Sequence, residues 1–176
     1  MSTVYFWSDL HLGHVNIHKF RPQFKDEKDH FEYIKATWKA TVNKHDKVFI
    51  LGDCCFTTEA LREFDTWAGR KVLILGNHDT DRKLSMRDLL YSYDEIHSLY
   101  KHKEFWLSHC PIHQDELRGK LNIHGHTHEH VVNDKRYYNA CVEYNPKPVT
   151  IDKIRDTMYS DNYSLLTNQA IDKQET

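Results

Sequence analysis

No run of apolar residues in this 176-residue chain approaches the ~18 that a bilayer-crossing helix needs. The N-terminus MSTVYFWSDLH has no basic segment, apolar h-region or cleavage site, which leads us to expect a cytoplasmic protein with no membrane partner. Cysteine is scarce. Cys54, Cys55, Cys110 and Cys141 include an adjacent pair and lack the paired spacing of a structural zinc site, so reduced thiols are expected rather than a disulfide framework. An excess of positive charge is also missing. Lys+Arg 24 against Asp+Glu 26 gives a net charge of −2, which excludes a strongly basic nucleic-acid binder acting by bulk electrostatics. There is no internal repeat and no low-complexity tract. We expect one domain over residues 1–159, followed by a tail, 160–176, without a sustained apolar face and read as mobile.

What the chain has in abundance is histidine, 14 residues, the commonest side-chain ligand for transition metals. Its placement matters more than its number. VYFWS precedes Asp9, KVFILG precedes Asp53, KVLILG precedes Asn77, EFWLS precedes His109 and LNIHG precedes His126. Short runs rich in Val, Ile, Phe and Trp read as buried strands, and in α/β sheets functional groups gather beyond the carboxyl ends of strands. One rim should therefore collect two carboxylates, an amide and several imidazoles.

The coarse pattern alternates strand and helix in the first half. Strands are expected over 3–8, 47–51 and 71–75. Helices are expected over 29–43, from an N-cap at Thr57 or Thr58 to Gly69, and from Thr80 or Asp81 to about Leu90. Short segments at 95–99, 104–108, 121–124, 136–141 and 149–151 then suggest a second, antiparallel or mixed sheet, with a last helix over 152–159. The expected fold is α/β, a four-layer α/β/β/α sandwich of two mixed sheets.

Within the rim, Asp9 and His11 lie two residues apart, so in extended backbone both project to one face about 7 Å apart. Gly52 before Asp53 and Gly76 before Asn77 allow a sharp turn and a close approach to an ion. His124, His126, His128 and His130 alternate along IHGHTHEH, and two of them could bind neighbouring metals. The other two exceed the ligands needed, and a turn hydrogen bond or solvent contact is their expected role. Cys54 and Cys55 are expected to pack as small hydrophobes. His14, Asn16 and Arg21 follow the first motif and could touch a substrate phosphate; an ordinary solvated loop is the other reading.

The ordered set Asp9-Leu10-His11, Gly52-Asp53, Gly76-Asn77-His78-Asp79, His109 and Gly125-His126-Thr127-His128 resembles the five-motif signature of the calcineurin-like metallophosphoesterases. Size and the segment GHVNIHKF are similar to its small bacterial and phage members. The resemblance implies two divalent ions. Asp9, His11, Asp53 and His128 would hold one, and Asp53, Asn77, His109 and His126 the other, with Asp53 bridging. Many relatives carry a further Asp and Arg soon after the Gly-Asp pair, whereas this chain reads GDCCFTTE, so no substrate contact is carried over for that loop.

Two dications and two carboxylates leave a net charge of about +2, which suits a phosphate. Such a pair shares a water, lowers its pKa and clamps the phosphoryl oxygens during in-line displacement. Manganese heads the candidate ions, with iron, zinc, nickel and cobalt also suited to mixed imidazole and carboxylate ligation. His78 is assigned as the group that donates to the leaving oxygen, with Asp79 orienting its ring. The expected activity is hydrolysis of a phosphodiester or phosphomonoester by metal-activated hydroxide, on a nucleotide or other small phosphoester. The alternatives are a nuclease acting on nucleic-acid ends and a non-catalytic metal-binding scaffold. The order of motifs argues against a metallo-β-lactamase, whose H-x-H-x-D-H comes early in the chain. An HD-type phosphohydrolase is helical, whereas His78 and Asp79 here follow a strand.

Overall fold

A computed structural model describes residues 2–81 and 83–160; the expected mobility of the tail falls, from 161 onward, outside the described residues. In chain order the elements are β1 (Val4–Trp7), α1 (Glu27–Thr41), β2 (Lys47–Ile50), α2 (Thr58–Asp65), β3 (Arg70–Ile74), α3 (Met86–Ser92), β4 (Glu95–His97), β5 (Tyr100–His102), β6 (Phe105–Leu107), β7 (Leu121–His124), β8 (Tyr137–Asn139), β9 (Val149–Thr150) and α4 (Ile151–Met158). They build two mixed sheets, ordered β4-β3-β2-β1-β9 and β5-β6-β7-β8. β1 to β4 are mutually parallel and β9 runs antiparallel to β1. In the second sheet β6, β7 and β8 are parallel and β5 is antiparallel. No helix among the described residues is long and apolar enough to cross a membrane.

The period-2 alternation of strand side chains explains why the central runs are apolar throughout. Trp7, Val48, Ile50 and Leu73 face one way and join Ile34, Trp38, Leu61 and Phe64 of the covering helices. Phe6, Phe49, Leu51, Val72 and Ile74 face the other way and meet Phe105, Leu107 and Ile123 of the second sheet. Ile151, Ile154 and Met158 of α4 close that inter-sheet core. The outer face of the second sheet carries the irregular 110–120 segment instead of a long helix. Its backbone is tied down by Ile112 N donating to Asn122 Oδ1 (3.1 Å) and Tyr137 Oη donating to Ile112 O (2.8 Å).

Three details differ from expectation. The segments at 95–99 and 149–151, expected in the second sheet, form the two edges of the first: β4 follows a third helical crossover and so continues the parallel order. α3 starts after Ser85 rather than at Thr80 or Asp81, because Ser85 and Asp88 form a reciprocal capping box. β5 was not anticipated; it pairs back on β6 through a turn in which Lys103 takes φ 54°.

Candidate metal centre

The carboxyl ends of β1, β2 and β3 and those of β6 and β7 meet at one rim, as the apolar runs suggested. Three glycines let them close up. A Cβ on Gly52 would collide with His109, one on Gly76 with the Asp53 carboxylate, and one on Gly125 with Ser8 and Asp9. The backbone is bent sharply here. Of seven non-glycine residues with positive φ among the described residues, five belong to the expected ligand set: Asp9 (59°), His11 (49°), Asp53 (52°), His126 (68°) and His128 (48°). Left-handed backbone costs an L-residue about 1–3 kcal/mol. Such strain clustered in one place marks a site the rest of the fold pays for.

Asp9 is fully buried. Its Oδ2 accepts from His126 N (2.9 Å) and the Cys141 thiol (3.1 Å), and Ser8 Oγ lies 2.6 Å away. That oxygen is saturated. Its Oδ1 and His11 Nε2 are buried with no hydrogen-bond partner. His11 Nε2 and His128 Nε2 each stand 3.6 Å from Asp9 Oδ1, a spacing natural for donors each about 2.1 Å from one ion. These orphaned atoms fit a cation.

Asp53 repeats the division of labour. Oδ1 accepts from His78 N (2.9 Å), while Oδ2 faces His109 Nε2 at 3.4 Å and His11 Nε2 at 4.0 Å. His109 Nε2 is also 3.0 Å from Asn77 Oδ1 and 3.2 Å from His126 Nδ1. One carboxylate oxygen thus looks into both donor groups. The His109 ring donates Nδ1–H to Leu51 O (2.7 Å), which turns the Nε2 lone pair towards the site. Cys110 Sγ comes within ligand-to-ligand distance of His109 and His126, a further donor that lacked any spacing signal.

The potential is that of a cation well. Burial alone would raise the Asp9 pKa, but facing His11 and the charge of His109 outweigh it and hold the carboxyl far below its usual range. Burial would lower His109, yet Asp53 and Asp9 push it up to about 9. Asp53 is likewise kept below its usual value against its burial, chiefly by His109.

Residues behind these donors hold them in place, and one expected role is corrected there. Arg21 is 3% exposed and lines the cleft, with its guanidinium engaged by groups of the site itself. It donates to Glu143 Oε1 from Nε (2.9 Å) and Nη2 (2.7 Å), and to Asp9 O from Nη2 (2.7 Å). Glu143 Oε1 in turn lies 3.0 Å from His128 Nδ1, fixing the ring so that Nε2 faces Asp9. Asp79 does not orient His78. Its buried carboxylate accepts from Gly76 N (2.7 Å), Cys54 N (3.1 Å) and Asp53 N (3.2 Å), lashing the loop after β3 to the loop after β2, and burial pushes its pKa up to about 6. The His78 ring takes Asp81 instead, Nδ1 to Oδ2 at 2.6 Å.

A cleft of about 700 Å³ opens beside the donors, lined in part by His11, His14, Phe56, His78, His126 and His128. His14 is on its wall. Asn16 is exposed and is not among the lining residues. His124 is buried and donates to Gly125 O (2.8 Å), the turn bond expected of a surplus histidine. Cys54 and Cys55 are buried with their sulfurs 3.7 Å apart.

Two facing mixed sheets with helices, and a rim of clustered metal-type donors, define an α/β protein of the metallophosphoesterase-like fold. Nuclease MPE of Pseudomonas putida shares that fold, at TM-score 0.51 and 21% identity over 71% of this chain and 61% of its own. A protein of Aquifex aeolicus designated AQ665 superposes at TM-score 0.70 with 29% identity, over 89% of this chain and 99% of that one. The gene 66 protein of mycobacteriophage L5 is 33% identical across 75% of this chain and 80% of its own length. The chain belongs to the family of that phage protein. No protein-family model matches it.

Proposed function

We propose that this protein is a divalent-metal-dependent phosphoesterase with two ions held side by side. Asp9, His11, Asp53 and His128 hold the first, and Asp53, Asn77, His109 and His126 the second. The observation that carries this reading is Asp53 Oδ2, which faces His11 Nε2 and His109 Nε2, one donor of each group. Its substrates are phosphodiesters of nucleotide or nucleic-acid type, and the fold shared with a nuclease supports that choice. Bound at these donors, two divalent ions supply a clamp on the phosphoryl oxygens and a water of lowered pKa.

The chain's own residues do the rest. Leu51 O and Glu143 set the tautomers of His109 and His128, so that each offers a lone pair to the site. His78 lines the cleft without belonging to either donor group, and its Nδ1 is anchored on Asp81. That leaves Nε2 to donate a proton to the departing oxygen. Buried Asp79 keeps Asp53 and His78 in register through their loops.

The test is a chelator-stripped protein reloaded with manganese, iron, zinc, nickel or cobalt and assayed on a chromogenic phosphodiester and a single-stranded oligonucleotide. Turnover should return with metal and be absent in Asp53→Asn. Release by the reloaded wild type no greater than that of Asp53→Asn would overturn the reading.

A further inference from the structure

We propose that the cleft seats an unstacked nucleobase against an aromatic wall of Phe20, His14 and Phe56, so that the substrate is a nucleotide ester or single-stranded nucleic acid. This inference rests on the phosphodiesterase reading and specifies its substrate. The wall climbs from floor to rim. Phe56 is 6% exposed at the bottom, its ring 4.8 Å from His11 and 5.6 Å from His78. His14 follows at 5.2 Å from Phe56, and Phe20 at 5.7 Å from His14. Phe20 is 71% exposed, although its neighbour Ile17 pins the same short turn into the core at 1%. An aromatic ring held by the fold yet left in water gains by being covered, and it stands one short chain of rings from the donors that would grip a phosphate.

The cleft's chemistry selects among aromatic and apolar guests. About 700 Å³ is the size class of a drug-sized ligand rather than a bare phosphate. The loop after β7 lines the same cleft with Thr127, Glu129 and His130, polar side chains of the kind that meet the edge of a flat heterocycle. A lipid chain has no use for them. Bases in a duplex already have both faces stacked, whereas an unpaired base offers a face to any aromatic, sequence-tolerantly.

The test compares wild type, Phe20→Ala and Phe20→Trp on three substrates under one reloaded metal. These are a single-stranded oligonucleotide, the same strand with a tetrahydrofuran abasic residue beside the cleaved linkage, and a dinucleoside phosphate. Wild type should favour the base-bearing strand over the abasic one by about tenfold in kcat/KM. Phe20→Ala should erase that preference through KM, and Phe20→Trp should keep it. A dinucleoside phosphate handled as well as the strand assigns a nucleotide-sized substrate; a preference for the strand assigns nucleic acid. Equal wild-type rates on base-bearing and abasic strands, or a Phe20→Ala loss shared by both, would overturn the inference. Binding of a 2-aminopurine strand to metal-loaded His78→Ala, which keeps every donor and turns over slowly, read by fluorescence quenching that Phe20→Ala abolishes, tests the wall apart from turnover. If no phosphodiester is cleaved but this quenching holds, the hydrolase reading fails and the base site stands; absent quenching overturns the base site.

Discussion

The two donor groups flank one carboxylate and are built differently. The first, around Asp9, His11 and His128, is held by side chains: Arg21 is buried and Glu143 half-buried behind it, and their charges lock His128 and the Asp9 backbone. The second, around Asn77, His109 and His126, is held by backbone: Leu51 O orients His109, while Asn77 and His126 are exposed. The contrast teaches that the first group depends on a few removable side chains. The second depends on strand placement, and exchanges more freely with solvent.

Removing what the groups share should have the largest effect. Asp53→Asn takes away the common carboxylate oxygen and should cost at least about 10³-fold in kcat, with both ions lost by elemental analysis. His78→Ala leaves every donor in place and should lower kcat by about 10²-fold or more at full metal occupancy. Equal activity there would remove His78 from the chemistry. Glu143→Gln separates the two groups: affinity for one ion should weaken about 10–100-fold while the other is unchanged, measured by titration of the stripped protein. Uniform weakening of both would erase the proposed difference.

A separate effect is on stability in acid, and each side of the site contributes one histidine. Burial holds His30, beside Arg21, at about 3 and His124, behind the His126 turn, at about 4. Both folded values lie below the unfolded 6.5, so the unfolded chain binds more protons as pH falls. Their contribution is complete above pH 6.5 and is lost down to about 4 and 3, at about 1.4 kcal/mol per pH unit for each residue. His109, raised to about 9, works the other way: between pH 7 and about 6 the unfolded ring is still taking up its proton while the folded ring already holds it, which offsets part of the fall, and below about pH 6 it is protonated in both states and adds no slope. Urea unfolding of stripped protein at pH 7 and 5 should show the fall, and His30→Gln should flatten it.

Five of the donors were readable in the sequence because each directly follows an apolar run, with His11 and His128 two positions further on, and a parallel sheet turns the end of each run into one place. The supports were not. Glu143 sits in CVEYN, two residues past the expected 136–141 strand and in no ligand-type motif, and meets Arg21 122 positions away, a contact only the closed fold creates. Asp79 adjoins His78 in sequence, but neighbouring residues of an extended loop point to opposite sides. Asp79 therefore turns into the backbone while Asp81 reaches the ring. Phe20 lay in a segment that looked like a polar loop. The strands 95–97 and 149–150 were assigned to the wrong sheet because short edge strands carry no pattern that names their partner.

The most direct measurement is anomalous scattering from crystals of the manganese-loaded protein. Two peaks about 3.5–4 Å apart on either side of Asp53 Oδ2, one near His11 and His128 and the other near Asn77 and His109, are the expected result. A single peak, or ions elsewhere with Asp53 turned away from them, would contradict the account.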